Sequence, residues 1–275
     1  MKAFFIDGPG KASYGELPRP DLAPGHVRLK IEKIGYCGSD LNTFRGLNPL
    51  VSYPRVPGHE IAGTIIERGE AVPDDLPLGK MVTINPYKNC GQCPACRTGR
   101  INACRNNETM GVQREGALTE EIVAPQERVV RAELQDPTQL ALVEPFAVGF
   151  HAVRRAAVVG QDLTAVYGCG AIGLGVIAGC RARGAEVVAI DIDDTKLAIA
   201  KALGAKHVIN SDREGPEKAI AAITGGDGVN VAFEAVGLPE TFLGCIAIAA
   251  PVGRVVYIGY AKTPVTYETK HFLVK

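Results

Sequence analysis

Tryptophan is absent from the sequence, and aromatic residues make up only 6% of its 275 positions. This scarcity argues against a substrate pocket lined by aromatic side chains. An excess of one charge is also lacking, because 30 lysine and arginine residues balance 30 acidic ones and no long basic run occurs. Nucleic acid and anionic membrane surfaces are therefore not expected as partners. No apolar run approaches the roughly 20 residues that cross a bilayer.

The first residues lack the apolar core and the cleavage site of a secretory signal peptide. Eight cysteines are present, and four of them fall in one short cluster. Without a secretion signal, clustered cysteines favour thiolate–metal chemistry in a reducing compartment over disulfides. We therefore expect a cytoplasmic protein.

A glycine-rich turn, Gly168-x-Gly170-x-x-Gly173, follows the apolar run Thr164–Tyr167 and precedes a helix predicted over 171–183. In such a turn the first glycine permits a tight bend, the second lets the backbone approach a pyrophosphate, and the third lets the helix pack on the sheet. The unpaired N–H groups at the helix start can then face the phosphates. The turn therefore predicts dinucleotide binding.

An acidic residue stands where a dinucleotide site needs one. The predicted helix ends at Gly184, a buried strand is predicted over 186–190, and Asp191 follows it, 21 residues after Gly170. A carboxylate there accepts hydrogen bonds from ribose hydroxyls and repels a 2′-phosphate, which favours NAD over NADP. The alternative is a flavodoxin-like turn with a surface aspartate. The candidate cofactor-binding residues are Gly168, Gly170, Ala171, Ile172, Gly173, Asp191 and Ile192.

The most specific feature is a cluster of four cysteines within fifteen residues, namely Cys90, Cys93, Cys96 and Cys104. Four soft thiolates at this spacing can close a tetrahedral zinc site. Such a site has no open position, so it is predicted to be structural and to fold a lobe that has little core of its own. The alternatives are disulfides and an iron–sulfur cluster.

Two short glycine-bounded turns carry a second set of metal-type side chains. The turn Cys37–Asp40 holds a thiol and a carboxylate, and the turn Gly58–Glu60 holds an imidazole and a carboxylate. Taken singly, Cys37 would be a buried apolar filler and His59 a hydrogen-bonded structural histidine. Together the residue types suit a zinc site with an open coordination position.

Glu144 ends an apolar run just before a helix predicted over 147–157. A carboxylate in apolar surroundings is costly unless it is paired or bound to a metal, so Glu144 is a further candidate ligand. The alternative is an ordinary acid that stabilises the N-terminus of the helix.

The pattern of predicted elements changes along the chain. Residues 1 to about 145 are rich in proline and glycine, whereas strands and helices alternate from residue 160 onward. This alternation predicts a parallel sheet with helices on both faces. Two domains are therefore predicted, 1–148 and 149–275. Strands are predicted over 2–6, 26–34, 61–66, 118–124, 208–209, 231–234 and 254–258, and helices over 196–203 and 217–223.

Together, these motifs resemble those of the zinc-dependent medium-chain alcohol/polyol dehydrogenases, over residues 1–260. The resemblance implies an α/β chain with a GroES-like β-barrel catalytic domain followed by a Rossmann doubly wound parallel sheet. It also implies NAD and two zinc ions per chain. The implied ligands of the catalytic zinc are Cys37, His59 and one acid, either Glu60 or Glu144. By the same resemblance, Ser39 relays the alcohol proton and Asp40 orients His59.

Three stretches are similar to bacterial L-galactonate or L-gulonate 5-dehydrogenases: Ser52–Arg55, the four-cysteine lobe, and Glu144–Phe146 with His151–Arg155. This similarity implies oxidation of a secondary alcohol of a polyol or sugar acid. Threonine 3-dehydrogenase, sorbitol dehydrogenase and 2,3-butanediol dehydrogenase activities are the alternatives. An alternative of another class is a non-catalytic NAD-binding protein that holds only the structural zinc.

Two arginines are candidates for binding a substrate carboxylate, because Arg55 and Arg114 lie in turns that, by resemblance, border the active site. The alternative for each is a solvated surface charge. Family members continue past the position of Lys275, so the resemblance implies that the Rossmann domain is incomplete at its C-terminus. A homodimer or homotetramer is expected when that part is present.

Overall fold

The computed structural model describes residues 1–275 and divides into two compact units, Met1–Glu144 and Pro145–Lys275. The domain boundary predicted after residue 148 falls within one helix, Val143–Arg155, and stays a prediction. No helix combines the length and the apolarity that crossing a bilayer requires.

The first unit is built on a five-stranded antiparallel sheet with the strand order β8-β3-β4-β5-β9. Two antiparallel strand pairs, β1 with β2 and β6 with β7, lie outside this sheet. The strands are β1 (Lys2–Gly8), β2 (Lys11–Glu16), β3 (His26–Gly35), β4 (Glu60–Arg68), β5 (Met81–Ile84), β6 (Tyr87–Lys88), β7 (Glu108–Thr109), β8 (Glu121–Pro125) and β9 (Val129–Val130). The helices are α1 (Gly38–Phe44), α2 (Pro94–Arg97) and α3 (Pro137–Ala141).

Apolar residues at alternate positions of the strands form the core of this unit, as the alternation of apolar and polar residues over 26–34 predicted. Val27 and Leu29 on β3 are fully buried against Ile61 and Ile65 of β4. Since successive side chains of a strand point to opposite faces, these alternate positions build one apolar side of the sheet. The sheet thereby holds β3 and β4 in a register that pairs Gly35 with Glu60.

The second unit is a five-stranded parallel sheet with the order β12-β11-β10-β13-β14. Its strands are β10 (Leu163–Tyr167), β11 (Glu186–Asp191), β12 (His207–Asn210), β13 (Val229–Glu234) and β14 (Ala249–Tyr257). Its helices are α4 (Val143–Arg155), which starts at the unit boundary, α5 (Ala171–Ala182), α6 (Asp194–Ala202), α7 (Pro216–Thr224) and α8 (Pro239–Ile248).

Both faces of the parallel sheet are covered by helices, which confirms the predicted doubly wound architecture. On one face Val166 packs with Val176 of α5, and on the other Ala165 packs with Ile220 of α7. The strand order reverses at β10, which has β11 on one side and β13 on the other. In open α/β sheets ligands bind beyond the carboxyl ends of the strands at such a switch point.

Two local predictions are corrected by the structure. The helix predicted over 147–157 begins at Val143, so Glu144 lies in its first turn rather than before it. Pro145 is compatible with that turn because the first N–H groups of a helix have no intrahelical acceptor. The Cys37–Asp40 segment is the start of helix α1, with Cys37 as its N-cap residue.

Candidate functional site

The four clustered cysteines converge, with all four Sγ atoms within 4.8 Å of one another. Cys93 Sγ lies 3.5 Å from Cys96 Sγ and 3.9 Å from Cys104 Sγ. Thiolates at about 2.3 Å from a tetrahedral zinc are separated by about 3.8 Å, so the spacing fits this ion. All eight cysteines of the chain are free, which contradicts the disulfide alternative. The donor set therefore suits a closed zinc site.

N–H groups near the cluster donate hydrogen bonds to its sulfur atoms. Cys90 N donates a hydrogen bond to Cys104 Sγ at 3.2 Å, and Asn89 Nδ2 donates to Cys96 Sγ at 3.8 Å. Backbone N–H groups of Arg105 and Cys96 lower the pKa of the Cys93 thiol to about 6. This lowered pKa favours the thiolate form of Cys93, which binds a metal ion. The hydrogen bond from Cys90 N lowers the pKa of the Cys104 thiol, but burial and hydrogen bonds to the Cys90 and Cys96 thiols raise it to about 11.

A second cluster is formed by Cys37, His59 and Glu60, whose ligand atoms also lie within 4.8 Å of one another. Cys37 caps α1, His59 stands just before β4, and Glu60 is the first residue of that strand. Both His59 and Glu60 are buried. A thiolate, an imidazole and a carboxylate are donors of the kind that hold a catalytic zinc with one open position.

Asp40 supports this cluster from the first turn of α1. Its Oδ2 accepts a hydrogen bond from Cys37 N at 2.9 Å. Its Oδ1 lies 3.9 Å from His59 Nδ1, and neither of these two buried atoms has a hydrogen-bond partner. The carboxylate thus fixes the backbone of one candidate ligand and faces the ring of another. Ser39, between Cys37 and Asp40, is half-buried.

Negative charge is concentrated around His59. Burial by itself lowers the pKa of His59, but a hydrogen bond to Cys37 and the charges of Asp40, Cys37 and Glu144 together raise it to about 9. Burial raises the pKa of Glu60, and the charge of His59 opposes this shift. An array of acidic groups that stabilises a positive charge at its centre is suited to hold a metal cation.

Glu144 lies outside the cluster of three ligand atoms and bonds elsewhere. Its Oε1 accepts a short hydrogen bond from the hydroxyl of Tyr87, on β6. Burial raises the pKa of Tyr87 well above its usual range, and the charge of Glu144 adds to this effect. Sequence reasoning missed Tyr87, whose only signal is an aromatic side chain three residues before Cys90.

The glycine turn follows β10 with the expected geometry. Gly168 has a φ of +91°, in the region that favours glycine. A Cβ on Gly173 would lie 1.7 Å from the carbonyl oxygen of Gly168, so only glycine lets α5 start this close to the strand. Gly170 is the N-cap residue of α5 and has no side chain that could accept a hydrogen bond from the first N–H groups of the helix. Ala171 is exposed and Ile172 half-buried, so the helix start faces solvent.

Asp191 joins the end of β11 to the glycine turn. Its Oδ2 accepts a hydrogen bond from Cys169 N at 2.7 Å, and its Oδ1 accepts one from Asp193 N at 3.0 Å. Its side chain is only 8% exposed, which differs from a solvated surface aspartate. The following residue, Ile192, is 61% exposed.

Both candidate arginines form hydrogen bonds within the protein, so neither is a solvated surface charge, and their role toward a substrate carboxylate stays a prediction. Arg55 is buried and donates to Glu115 Oε1 at 2.7 Å and to Ser52 Oγ at 2.9 Å. Arg114 is half-buried and donates to the carbonyl oxygen of Pro86 at 2.9 Å. Glu115 lies 60 residues from Arg55 along the chain, so sequence spacing did not reveal the pair.

Two glycines of the turn are predicted to respond differently to substitution by alanine. Gly173→Ala places a methyl group against backbone and is expected to lower the free energy of unfolding by about 3 kcal/mol or more. The Cβ of Gly170→Ala meets nothing within 4 Å, so the free energy of unfolding should fall only by the cost of alanine at an N-cap, about 1 kcal/mol or less. The glycine turn is predicted to let a pyrophosphate approach Gly170, so the added methyl group is expected to lower affinity for NAD by about tenfold or more.

Thermal unfolding and titration calorimetry with NAD measure these two effects separately. A Gly170→Ala variant that binds NAD as tightly as the unmodified chain would contradict the assignment of the phosphate site to this turn. A stable Gly173→Ala variant would contradict the close approach of α5 to β10.

Comparisons with known proteins identify the family of this chain. Residues 23–134 match the alcohol dehydrogenase GroES-like domain, and residues 171–275 match the zinc-binding dehydrogenase domain. The chain is 34% identical to L-galactonate-5-dehydrogenase of Escherichia coli K12 over 257 residues, covering 94% of this chain and 75% of that protein.

Solved structures of other proteins are similar to this chain over nearly its whole length. A zinc-binding dehydrogenase of Sinorhizobium meliloti 1021 bound to NADP has a TM-score of 0.90 and 30% identity, covering 99% of this chain and 81% of that one. An alcohol dehydrogenase of Escherichia coli CFT073 complexed with NADH has a TM-score of 0.89 and 29% identity, covering 99% and 80%. The chain therefore belongs to the family of zinc-dependent medium-chain alcohol and polyol dehydrogenases.

Proposed function

We propose that this protein oxidises a secondary hydroxyl of a polyol or sugar acid to a ketone, with NAD as the hydride acceptor. The observation that carries the proposal is the buried cluster of Cys37, His59 and Glu60, whose ligand atoms lie within 4.8 Å of one another. Its donors include one thiolate rather than two, together with the carboxylate of Glu60. Such a polar set suits a substrate with several hydroxyl groups.

In this proposal Cys37, His59 and Glu60 hold the catalytic zinc, and Cys90, Cys93, Cys96 and Cys104 hold the structural one. When bound, zinc polarises an alcohol oxygen and favours its deprotonation, and NAD accepts the hydride. Asp40 keeps the Cys37 backbone in place through its 2.9 Å hydrogen bond. Ser39, in the same helical turn, is proposed to receive the alcohol proton.

The cofactor is proposed to bind at the carboxyl ends of β10 and β11. Gly168, Gly170 and Gly173 keep the backbone open to a pyrophosphate, and the N–H groups of Ala171 and Ile172 face it from the start of α5. Asp191 and Ile192 border the adenosine ribose in this arrangement. The negative charge of Asp191 opposes a 2′-phosphate, so NAD is proposed as the preferred cofactor.

A screen tests the substrate class and cofactor together. Polyols, sugar acids, threonine, 2,3-butanediol and ethanol are offered to the zinc-loaded chain with NAD⁺ or NADP⁺, and the reduced cofactor is followed by its absorbance. We expect the highest kcat/KM for a polyol or sugar acid with NAD⁺. Faster turnover of ethanol than of every polyol and sugar acid, or a preference for NADP⁺, would overturn the respective part of the proposal.

A further inference from the structure

A cavity of about 240 Å³ lies within the first unit, and Lys88 of β6 is one of the residues that line it. Basic side chains line this cavity and no acidic one does; they are those of His26, Lys88, Arg114 and Arg128. No residue of either candidate zinc cluster lines it. The cavity is therefore separate from both candidate metal sites.

The two arginines of the cavity have no carboxylate partner. The guanidinium of Arg114 donates from Nη2 to the carbonyl oxygen of Pro86 at 2.9 Å, and that of Arg128 donates from Nη2 to Asn89 Oδ1 at 2.7 Å. Both partners are neutral, and the buried Nε of Arg114 has no hydrogen-bond partner. Both side chains are half-buried. A charge withdrawn from water is unfavourable unless an opposite charge is placed beside it, and here that partner is missing.

Positive charge is in excess around the cavity. The charge of Lys88 is offset by Glu108, whose carboxylate lies 3.0 Å from Lys88 Nζ. Burial lowers the pKa of Arg114, the charge of Glu108 opposes this shift, and the charge of Arg128 adds to it. The two guanidinium groups thus repel each other, and an anion between them would turn this repulsion into attraction.

The segments that carry the arginines are fixed by backbone hydrogen bonds. Asn85 N donates to the carbonyl oxygen of Arg128 at 2.7 Å, and Gly111 N donates to that of Arg114 at 2.9 Å. The lining also includes the apolar side chains of Met110 and Val123. The cavity therefore combines cationic groups on a fixed backbone with apolar surface, as sites for small organic ligands do.

We propose that this cavity binds a small anion through Arg114 and Arg128, which hold the phosphate or carboxylate group of a molecule with few carbon atoms. Guanidinium groups bind the oxygen atoms of both groups through paired N–H donors. The volume of about 240 Å³ is below that of a site for a drug-sized molecule, which limits the ligand to a small one. This site is additional to the proposed oxidation of an alcohol and does not depend on it.

The site is connected to the four-cysteine lobe through one side chain. Asn89 accepts the 2.7 Å hydrogen bond from Arg128, and its Nδ2 donates to Cys96 Sγ at 3.8 Å. An anion that holds Arg128 in place therefore also holds Asn89 beside the cysteines. Binding of the anion is expected to stabilise the folded chain, because a ligand that binds only the folded state shifts the unfolding equilibrium.

Thermal unfolding of the zinc-loaded full chain is measured with inorganic phosphate or with butyrate as the probe. Saturating NAD keeps the probes from the glycine turn, and chloride at equal ionic strength is the reference, because phosphate also stabilises proteins without binding a site. At about 20 mM, at least one probe should raise Tm by about 3 °C, which corresponds to a Kd of about 1 mM. A larger effect of phosphate indicates a phosphorylated ligand, and a larger effect of butyrate indicates a carboxylate.

Two variants remove one guanidinium group each. Arg114→Gln and Arg128→Gln should each weaken binding of the better probe by about tenfold or more, as measured by titration calorimetry. Without a probe, Arg114→Gln should unfold at the same or a higher temperature, because the repulsion from Arg128 is removed. Arg131→Gln is the matched control, since it removes an arginine of the same unit that pairs with Asp75, and it should leave probe binding unchanged.

The proposal is overturned if neither probe raises Tm above the chloride reference, or if both variants bind the probes as tightly as the unmodified chain. Inhibition by a probe that competes with the alcohol substrate and disappears in Arg114→Gln would assign the cavity to the substrate, and it would reject a separate site. Failure of the proposed function has a different signature, because the screen would then show no turnover while both probes still responded to the two variants.

Discussion

Replacing Cys37 with serine is expected to remove one of two zinc ions per chain and to lower kcat/KM by about a thousandfold or more. Lewis-acid polarisation by a metal is worth several kcal/mol in the transition state, and each 1.36 kcal/mol is a factor of about ten. The variant loses the only thiolate of the cluster formed with His59 and Glu60. The measurements are the zinc content and the turnover of the best substrate from the screen.

The control is Cys180→Ser, which changes a buried cysteine of α5 that belongs to neither cluster. It should keep two zinc ions and most of the turnover. A Cys37→Ser chain that retains both zinc ions and normal turnover would reject the assignment of the catalytic metal to this cluster.

Replacing Cys93 with serine is expected to have the largest effect on stability. The lobe around it has little apolar core, since α2 and the 3₁₀ turn Ile101–Ala103 contain no buried residue. Cys93 contacts two other thiols at 3.5 and 3.9 Å, so its loss opens the tetrahedron. We expect the free energy of unfolding to fall by about 4 kcal/mol or more, as for other losses of a structural metal.

Denaturant unfolding and zinc analysis measure this change, and Cys180→Ser again serves as the control because it buries a hydroxyl without touching a metal site. The zinc that we propose at Cys37, His59 and Glu60 should remain bound in the folded fraction of the Cys93 variant. Full stability together with lost turnover would contradict a structural role for the four-cysteine lobe.

The features that the sequence by itself determined are local ones. The four cysteines lie within fifteen residues, and the three glycines and Asp191 follow one another along a strand, a turn, a helix and a second strand. Short spacing limits the geometry, because a few residues of backbone can bring such groups together in only a few ways. For the same reason alternation of apolar residues predicted β3, and the βα pattern predicted the parallel sheet.

What only the tertiary structure decided concerns groups that are distant in the sequence. Glu60 and Glu144 are equally plausible ligands in the sequence, but Glu60 joins the cluster of ligand atoms, whereas Glu144 bonds Tyr87 across 57 residues. Arg55 resembles a free cation until Glu115 is placed beside it. The register of the sheet and the packing of separate turns create these contacts. The spacing of the residues along the chain does not predict them, because a loop of tens of residues can close in many ways at a similar cost in entropy.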